Sequence, residues 1–422
     1  MSDAVHSYLF VLTDAGGTVP PEIGVARRLV DRGHHVTVLA DDPLERPTLE
    51  AGARFRPTTG RVTAPFDDWA IRSPAGIARG MAEHMITGPA PVQADDTTAA
   101  IDELRPDLVV VSSFAIGAMI AAEARGVPFD LLIPNTYTLP AKGMPPFGVG
   151  LKPGHGPMGA LRDRAFGTAG RRLFDHFALA SLNTVRTDHG LEPVATMWNQ
   201  MQYARRQLVL TSAAFDFPAE LPDNARYVGP ILDDPSWAAE TPWTPPAGDD
   251  PLVLVAMSST FQNHVECMQR ITDALGSLPV RGVVTTGPAV EPSAIRAPAN
   301  VTVVASAPHH LVMREASLVV THGGHGTVIK TLAAGRPLVI LHHGRDQADN
   351  AVRVTERGAG VAISRRSSTQ RIARAVGEVL GDDRYRLAAA KLGEVIARDA
   401  AGSALLDELE GPARDQASST IT

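Results

Sequence analysis

The chain has 422 residues, 44% of them apolar, and its 39 Lys+Arg against 46 Asp+Glu leave a net charge of −7. The length exceeds one ordinary domain and sets two as the expectation. The acidic balance argues against a nucleic-acid partner, and a single cysteine, Cys267, excludes an internal disulfide or a cysteine-built metal site.

Residues 8–13 read as a first strand. Pro20 and Pro21 suit a helix start, and Ile23, Ala26, Leu29 and Val30 then recur at helical spacing up to Gly33. Residues 35–40 form the second strand, so the opening is a Rossmann-type half. Residues 42–100 are mixed, with a helix-like stretch around 77–86. Residues 107–111 are a buried strand, 116–125 a helix and 128–133 the next strand. The apolar run 108–122 is broken by Ser112-Ser113 and too short to span a bilayer, and no basic segment precedes the opening strand. A cytoplasmic protein without stable membrane insertion is expected. Residues 134–160 are rich in Pro and Gly, and so long a structureless segment is usually functional. Its Tyr137, Met144, Phe147, Leu151 and Met158 offer an apolar lining, which favours an acceptor-side loop over a plain connection. Residues 161–183 are helical, 208–211 a strand, and 216–251 a linker by its Pro, Asp and Trp content.

The second half restarts with a strand at 252–256, followed by Met257-Ser258-Ser259-Thr260. A helix at 265–275, strands at 282–286 and 301–305 and a short helix at 311–314 lead to the most informative stretch. A strand at 317–321 runs into His322-Gly323-Gly324-His325-Gly326-Thr327. Helical spacing of Val328, Ile329, Leu332 and Ala333 then ends at Gly335, and 337–341 is a strand. A Gly-rich turn entering a helix directs free N–H groups and the positive dipole end at an anion, and lets a diphosphate approach the backbone. Thr327 and His322 add an O–H and an imidazole N–H. A ligand-free turn is the alternative, but Asp346-Gln347 follows the next strand, at the sheet edge where open α/β folds bind ligands. Helices at 348–357, 370–380 and 383–409 and a strand at 361–363 complete the half.

His322-Gly323-Gly324-x-Gly326-Thr327, Gly335-x-Pro337 and Asp346-Gln347-x-x-Asn350-Ala351 together resemble the donor signature of inverting nucleotide-sugar glycosyltransferases, in the bacterial natural-product (macrolide-type) branch. The resemblance implies α/β architecture with two facing Rossmann-like domains, the GT-B fold. Residues 1–228 would bind the acceptor, 229–251 link, and 252–409 bind the donor, with a last helix free to cross back and a frayed tail at 410–422. It implies donor contacts from Ser259, His309, His322, Gly324, Gly326, Thr327, Asp346 and Gln347, the last two meeting sugar hydroxyls. It places the acceptor near Gly16 and Ser112, and the composition of the 134–160 loop adds Tyr137 and Phe147. No Asp-x-Asp pair is present, so neither a bridging metal nor a cofactor beyond the UDP- or dTDP-sugar is expected.

The departures bear on mechanism. In the family a His in the first strand-to-helix turn takes the acceptor proton and an Asp after a later strand orients it. Ungapped matching puts Gly16 and Ser112 at those positions. Three arrangements stay open: Asp14 as substitute base, an acceptor that needs no strong base, or a base from elsewhere such as His84 or His155, with a chain lacking turnover as its limit. Lys330 stands where the family often has a ribose-binding Glu, and no aromatic precedes Pro308, so UDP and dTDP both stay open. The expected activity is transfer of a hexose to a small, partly apolar natural product. A nucleotide-sugar epimerase and a non-catalytic donor-binding partner are the alternatives, and a homodimer is left open.

Overall fold

Short apolar, β-branched runs separated by helices assemble into two sheets. The computed structural model describes residues 5–60, 66–235, 238 and 241–419, with side chains as far as residue 411. The first sheet holds β1 (Ser7–Val11), β2 (His35–Ala40), β3 (Arg54–Pro57), β4 (Leu108–Ser112), β5 (Phe129–Ile133), β6 (Arg206–Val209) and β7 (Ala225–Tyr227), in the order β3-β2-β1-β4-β5-β6-β7. The second holds β8 (Leu252–Ala256), β9 (Arg281–Thr285), β10 (Val301–Val304), β11 (Leu318–Thr321), β12 (Leu338–Ile340) and β13 (Gly360–Ala362), in the order β10-β9-β8-β11-β12-β13. All these pairings are parallel. Helices cover both faces, so the central strands are apolar throughout. Along β1, Leu9 and Val11 enter one core and Tyr8 and Phe10 the other, the two-residue period of a strand.

The strand order positions the site. In the first sheet the chain steps outward from β1 to β3, then returns to place β4 on the other side of β1. The second sheet does the same around β8 and β11. Each reversal opens a crevice beyond the carboxyl ends of the two central strands, where ligands of such folds bind.

Several expectations change. The mixed region 42–100 contains the edge strand β3, helices Pro74–Met81 and Ala90–Leu104, and a π-helical turn Ala82–Ile86. β3 has the sequence RFRP and no fully buried residue, so it lacks an apolar signal. The helix expected over 161–183 runs instead from Gly156 to Asp188, with a proline in its first turn. The single helix expected over 383–409 breaks into Asp383–Ala400 and Ala404–Ser419. The second piece crosses back onto the first sheet: Leu405 and Leu409 join its core, Glu410 is bonded by Arg32 and His34, and Tyr8 Oη donates to the Leu409 carbonyl. The tail expected to fray from residue 410 is therefore helical to Ser419; residues 420–422 lie outside the described residues.

The linker is fastened rather than loose. Arg28 pairs with Asp233, and Lys330 donates to Asp234 at 2.8 Å. Residues 236–237 and 239–240 of it lie outside the described residues. The two units are locked by a buried ion pair, Arg353 with Asp216, whose carboxylate also accepts from Tyr137 N–H, Phe217 N–H and Tyr227 Oη. No helix of the described residues is long and apolar enough to cross a membrane.

Candidate active site

β11 ends at Thr321, and the turn beyond it delivers His322 to the second crevice. The ring is nearly buried and makes a 3.3 Å contact through Nδ1 with Thr321 Oγ1. Burial, aided by the neighbouring His343 and His264, lowers its pKa to about 3 against hydrogen bonding to the Ala256 carbonyl, so the imidazole is neutral. Gly324 is required by proximity: a Cβ there would lie 2.5 Å from His322 Nε2. The helix His325–Ala333 begins immediately, so its first N–H groups face the crevice, with Gly326 and Thr327 in its first turn.

His325 is buried against Phe215, with the Asn350 side chain beside its ring. Burial lowers its pKa, to about 4, as it does for His343. The Asp346 carboxylate accepts from Asn350 Nδ2 at 2.7 Å and from His325 N–H at 3.3 Å, which places it beside the Gly-rich turn. Gln347 is fully buried, and its amide is already engaged. Oε1 accepts from His343 N–H and Gly344 N–H, and Nε2 donates to Gln262. It braces the loop that carries Asp346. Ser259 is exposed on the turn after β8, while its neighbour Ser258 is buried and accepts from Thr260 N–H. His309 lies at the start of the helix His309–Glu315 with Nε2 3.1 Å from Thr285 Oγ1. Burial pushes its pKa down to about 4. Lys330, in place of a ribose-binding Glu, reaches the linker. Burial would raise the pKa of Asp234, but Lys330 and His310 outweigh it and hold it at about 2.

Across the cleft, the turn after β1 faces this site. Gly16 has φ +70°, and a Cβ on it would lie 2.8 Å from Thr260 Cγ2, so a side chain here would be strained and would collide with the opposite domain. Asp14 is half-buried, and its Oδ1 accepts from Gly16 N–H at 3.3 Å. Ser112 ends β4 beside this turn and is fully buried. Tyr137 does not line a pocket: it is buried, and Oη donates to Gln207 Oε1 at 2.8 Å. An aromatic with a polar tip was satisfied inside the core, which composition alone does not distinguish from a lining residue. Phe147 is exposed, on a loop that crosses to the donor side. There Gly148 N–H and Gly150 N–H donate to Asp349 at 2.5 and 2.7 Å, and Arg353 contacts Met144 Sδ. Arg345 pairs with Asp68 and donates to Thr260 Oγ1, and Trp69 meets Phe261 edge-on, closing the same cleft on another side. His84 stacks on Phe66, and His155 precedes the long helix as an exposed residue.

Sequence reading missed Asp349, Asp68, Thr260 and Glu22. The first three act across the cleft, with no local signal. Glu22 had one: it lies four residues before Ala26 and seven before Leu29, on the apolar stripe of its helix.

Residues 269–410 match the family described as the erythromycin biosynthesis protein CIII-like, C-terminal domain. The 4'-demethylrebeccamycin synthase of Lentzea aerocolonigenes is 30% identical over 426 residues, covering 96% of this chain and 98% of that protein. The calicheamicin glycosyltransferase CalG4 superposes with a TM-score of 0.76 at 23% identity, over 96% of this chain and 98% of that one. The spinosyn rhamnosyltransferase SpnG, solved with thymidine diphosphate, gives 0.67 at 19%, over 96% and 100%. With two parallel-sheet domains facing each other across a cleft and a relative aligned over nearly its whole length, the chain belongs to the GT-B glycosyltransferases of natural-product biosynthesis with an EryCIII-like C-terminal domain.

Proposed function

We propose that the protein is an inverting, metal-independent hexosyltransferase that moves a sugar from a UDP- or dTDP-sugar to a small, partly apolar natural product. The observation that carries this reading is the turn 322–327. A neutral imidazole, a helix N-terminus and a Gly-rich backbone converge at one switch point, directly opposite the turn of Asp14 and Gly16. The nucleoside diphosphate leaves into that turn, where the N–H groups and the dipole take up its developing charge. His309 and the 305–308 segment contact the nucleoside, Thr327 the phosphates, and Asp346 the sugar hydroxyls, with Gln347 bracing its loop. The acceptor attacks the anomeric carbon from the side opposite the leaving group, with Asp14 at the rim orienting it. Exposed Phe147 supplies apolar contact to it.

Calorimetry with UDP and dTDP tests the donor site. One nucleotide binds the wild type, and His322→Ala weakens it by about 1–3 kcal/mol, roughly five- to 150-fold. Absence of binding by either nucleotide sinks the reading. An acceptor panel followed by mass spectrometry then reports a sugar-mass adduct, which EDTA leaves undiminished.

A further inference from the structure

Exposed large apolar side chains gather in one place among the described residues. Phe147, Val149, Met158, Leu161 and Phe166 are 45–86% exposed and fall between residues 147 and 166, while the others are scattered over both domains. Single exposed apolar residues are ordinary, but a contiguous group marks a surface that meets something. Three of the five ride on the helix Gly156–Asp188, whose first buried residue is Ala178. Before that point the helix only leans on the acceptor-domain core, through Phe174 and Phe177, with Arg79 over the Phe177 ring. A helix of a globular domain turns its apolar stripe inward. Here Met158, Leu161, Ala165 and Ala169 recur at three- and four-residue spacing and all are exposed, so the outward face carries a stripe of its own.

The charge of this face decides what it fits. The chain carries −7 overall, yet residues 156–177 hold Arg162, Arg164, Arg171 and Arg172 against Asp163 and Asp175. Both carboxylates are turned to their own chain. Asp163 accepts from Gly154 N–H at 2.6 Å and pairs with Arg162, and Asp175 accepts from Met197 N–H at 2.9 Å. Arg171 donates to Thr168 Oγ1, and neither it nor Arg164 or Arg172 has a carboxylate partner among the described residues. A second copy of the chain fits poorly, since a two-fold pairing of these helices sets the arginines of one against those of the other. An exposed apolar stripe beside unpaired guanidinium groups instead matches an anionic lipid surface: the stripe enters the headgroup boundary and the cations meet phosphate. The acidic remainder of the molecule is repelled by such a surface, which turns this face toward it.

We propose that the first half of the helix Gly156–Asp188 is a peripheral docking face for an anionic bilayer. Docking there is adsorption, with no segment spanning the membrane. It sets the acceptor loop against the lipid, because the segment 147–155 runs from the Gly148 and Gly150 contacts with Asp349 to the start of this helix, with Phe147 and Val149 exposed along it.

Flotation of the full chain tests the proposal, with vesicles of phosphatidylcholine alone and of phosphatidylcholine with about one third phosphatidylglycerol. The variants are Leu161→Asp, the pair Arg164→Ser with Arg172→Ser, and a control pair on the donor domain, Arg314→Ser with Arg366→Ser. All change exposed positions, where folding tolerates substitution, and circular dichroism checks each. The wild type floats with the anionic vesicles, at least about tenfold less with the neutral ones, and salt releases it. The helix arginine pair partitions about 20–30-fold more weakly, roughly fivefold for each cation removed. Leu161→Asp no longer floats, and the control pair floats as the wild type does. A wild type that stays in solution overturns the proposal, as does an equal loss in the control pair, which would make the attraction diffuse. Concentration-dependent dimerisation that Leu161→Asp abolishes overturns it too, giving the face to a second copy; flotation unchanged in Leu161→Asp removes the stripe from it. No turnover is needed, so these outcomes stand apart from the fate of the transferase reading, which nucleotide calorimetry judges.

Discussion

The two crevices are built alike and charged differently. Both lie where the strand order reverses, β1/β4 on one side and β8/β11 on the other. The donor side gathers neutral imidazoles, His264, His322, His325 and His343, whose pKa values burial lowers, around a helix N-terminus. Its carboxylate, Asp346, already accepts two hydrogen bonds. The acceptor side instead keeps a buried carboxyl, Glu22, without a cation among the described residues. Burial suppresses charge in both places, but with opposite results. It leaves one side lacking protons that an arriving anion would restore, and the other holding a proton that an exposed carboxyl would have lost.

The largest effect is expected where the two sides are joined. Arg353→Ala strands the fully buried Asp216 carboxylate between the domains and should lower stability by about 3–5 kcal/mol in urea titrations. A loss under 1 kcal/mol would mean that the cleft walls are not held together by this pair.

Next comes the acceptor-side carboxyl. The folded-state pKa of Glu22 is raised from 4.5 to about 8. Between those values the unfolded chain has lost the proton and the folded chain keeps it, so stability falls as pH rises across the window and levels off above it. Glu22→Gln removes that fall. The variant should match wild type near pH 4.5 and exceed it by a few kcal/mol at pH 8. Parallel stability curves for the two proteins would mean that Glu22 is ionised and paired, and the contrast between the crevices would be lost.

The smallest effect concerns the loop that spans the cleft. Asp349→Asn weakens the acceptance of Gly148 N–H and Gly150 N–H by about 1–3 kcal/mol. Faster hydrogen exchange at those two amides, with nucleotide affinity unchanged, would show that the donor domain holds the acceptor loop in place. Unchanged exchange would return the loop to the acceptor domain alone.

The donor turn was legible because its parts are local. A strand, a Gly-rich turn and a helix are contiguous, and Asp346 follows one strand later, so spacing along the chain translates directly into proximity. The acceptor site was legible only as a deficit, Gly16 and Ser112 in place of a catalytic pair. Tyr137 was misplaced because an aromatic in a Pro- and Gly-rich segment looks the same whether its hydroxyl meets a ligand or Gln207. β3 was invisible because an edge strand needs no apolar face.

By itself, the sequence determined two α/β halves, the crossover from β11 to β12 and the Gly-rich turn that enters a helix, since all of these depend on periodicities and turn residues within some thirty positions. Only the tertiary structure decided that Glu22 lies beside Ser112, that Thr260 fills the space over Gly16, that Asp349 grips the acceptor loop and that the last helix returns to the first sheet. Those contacts join residues from about ninety to several hundred positions apart. Their energies depend on burial and distance, which have no signature in local spacing.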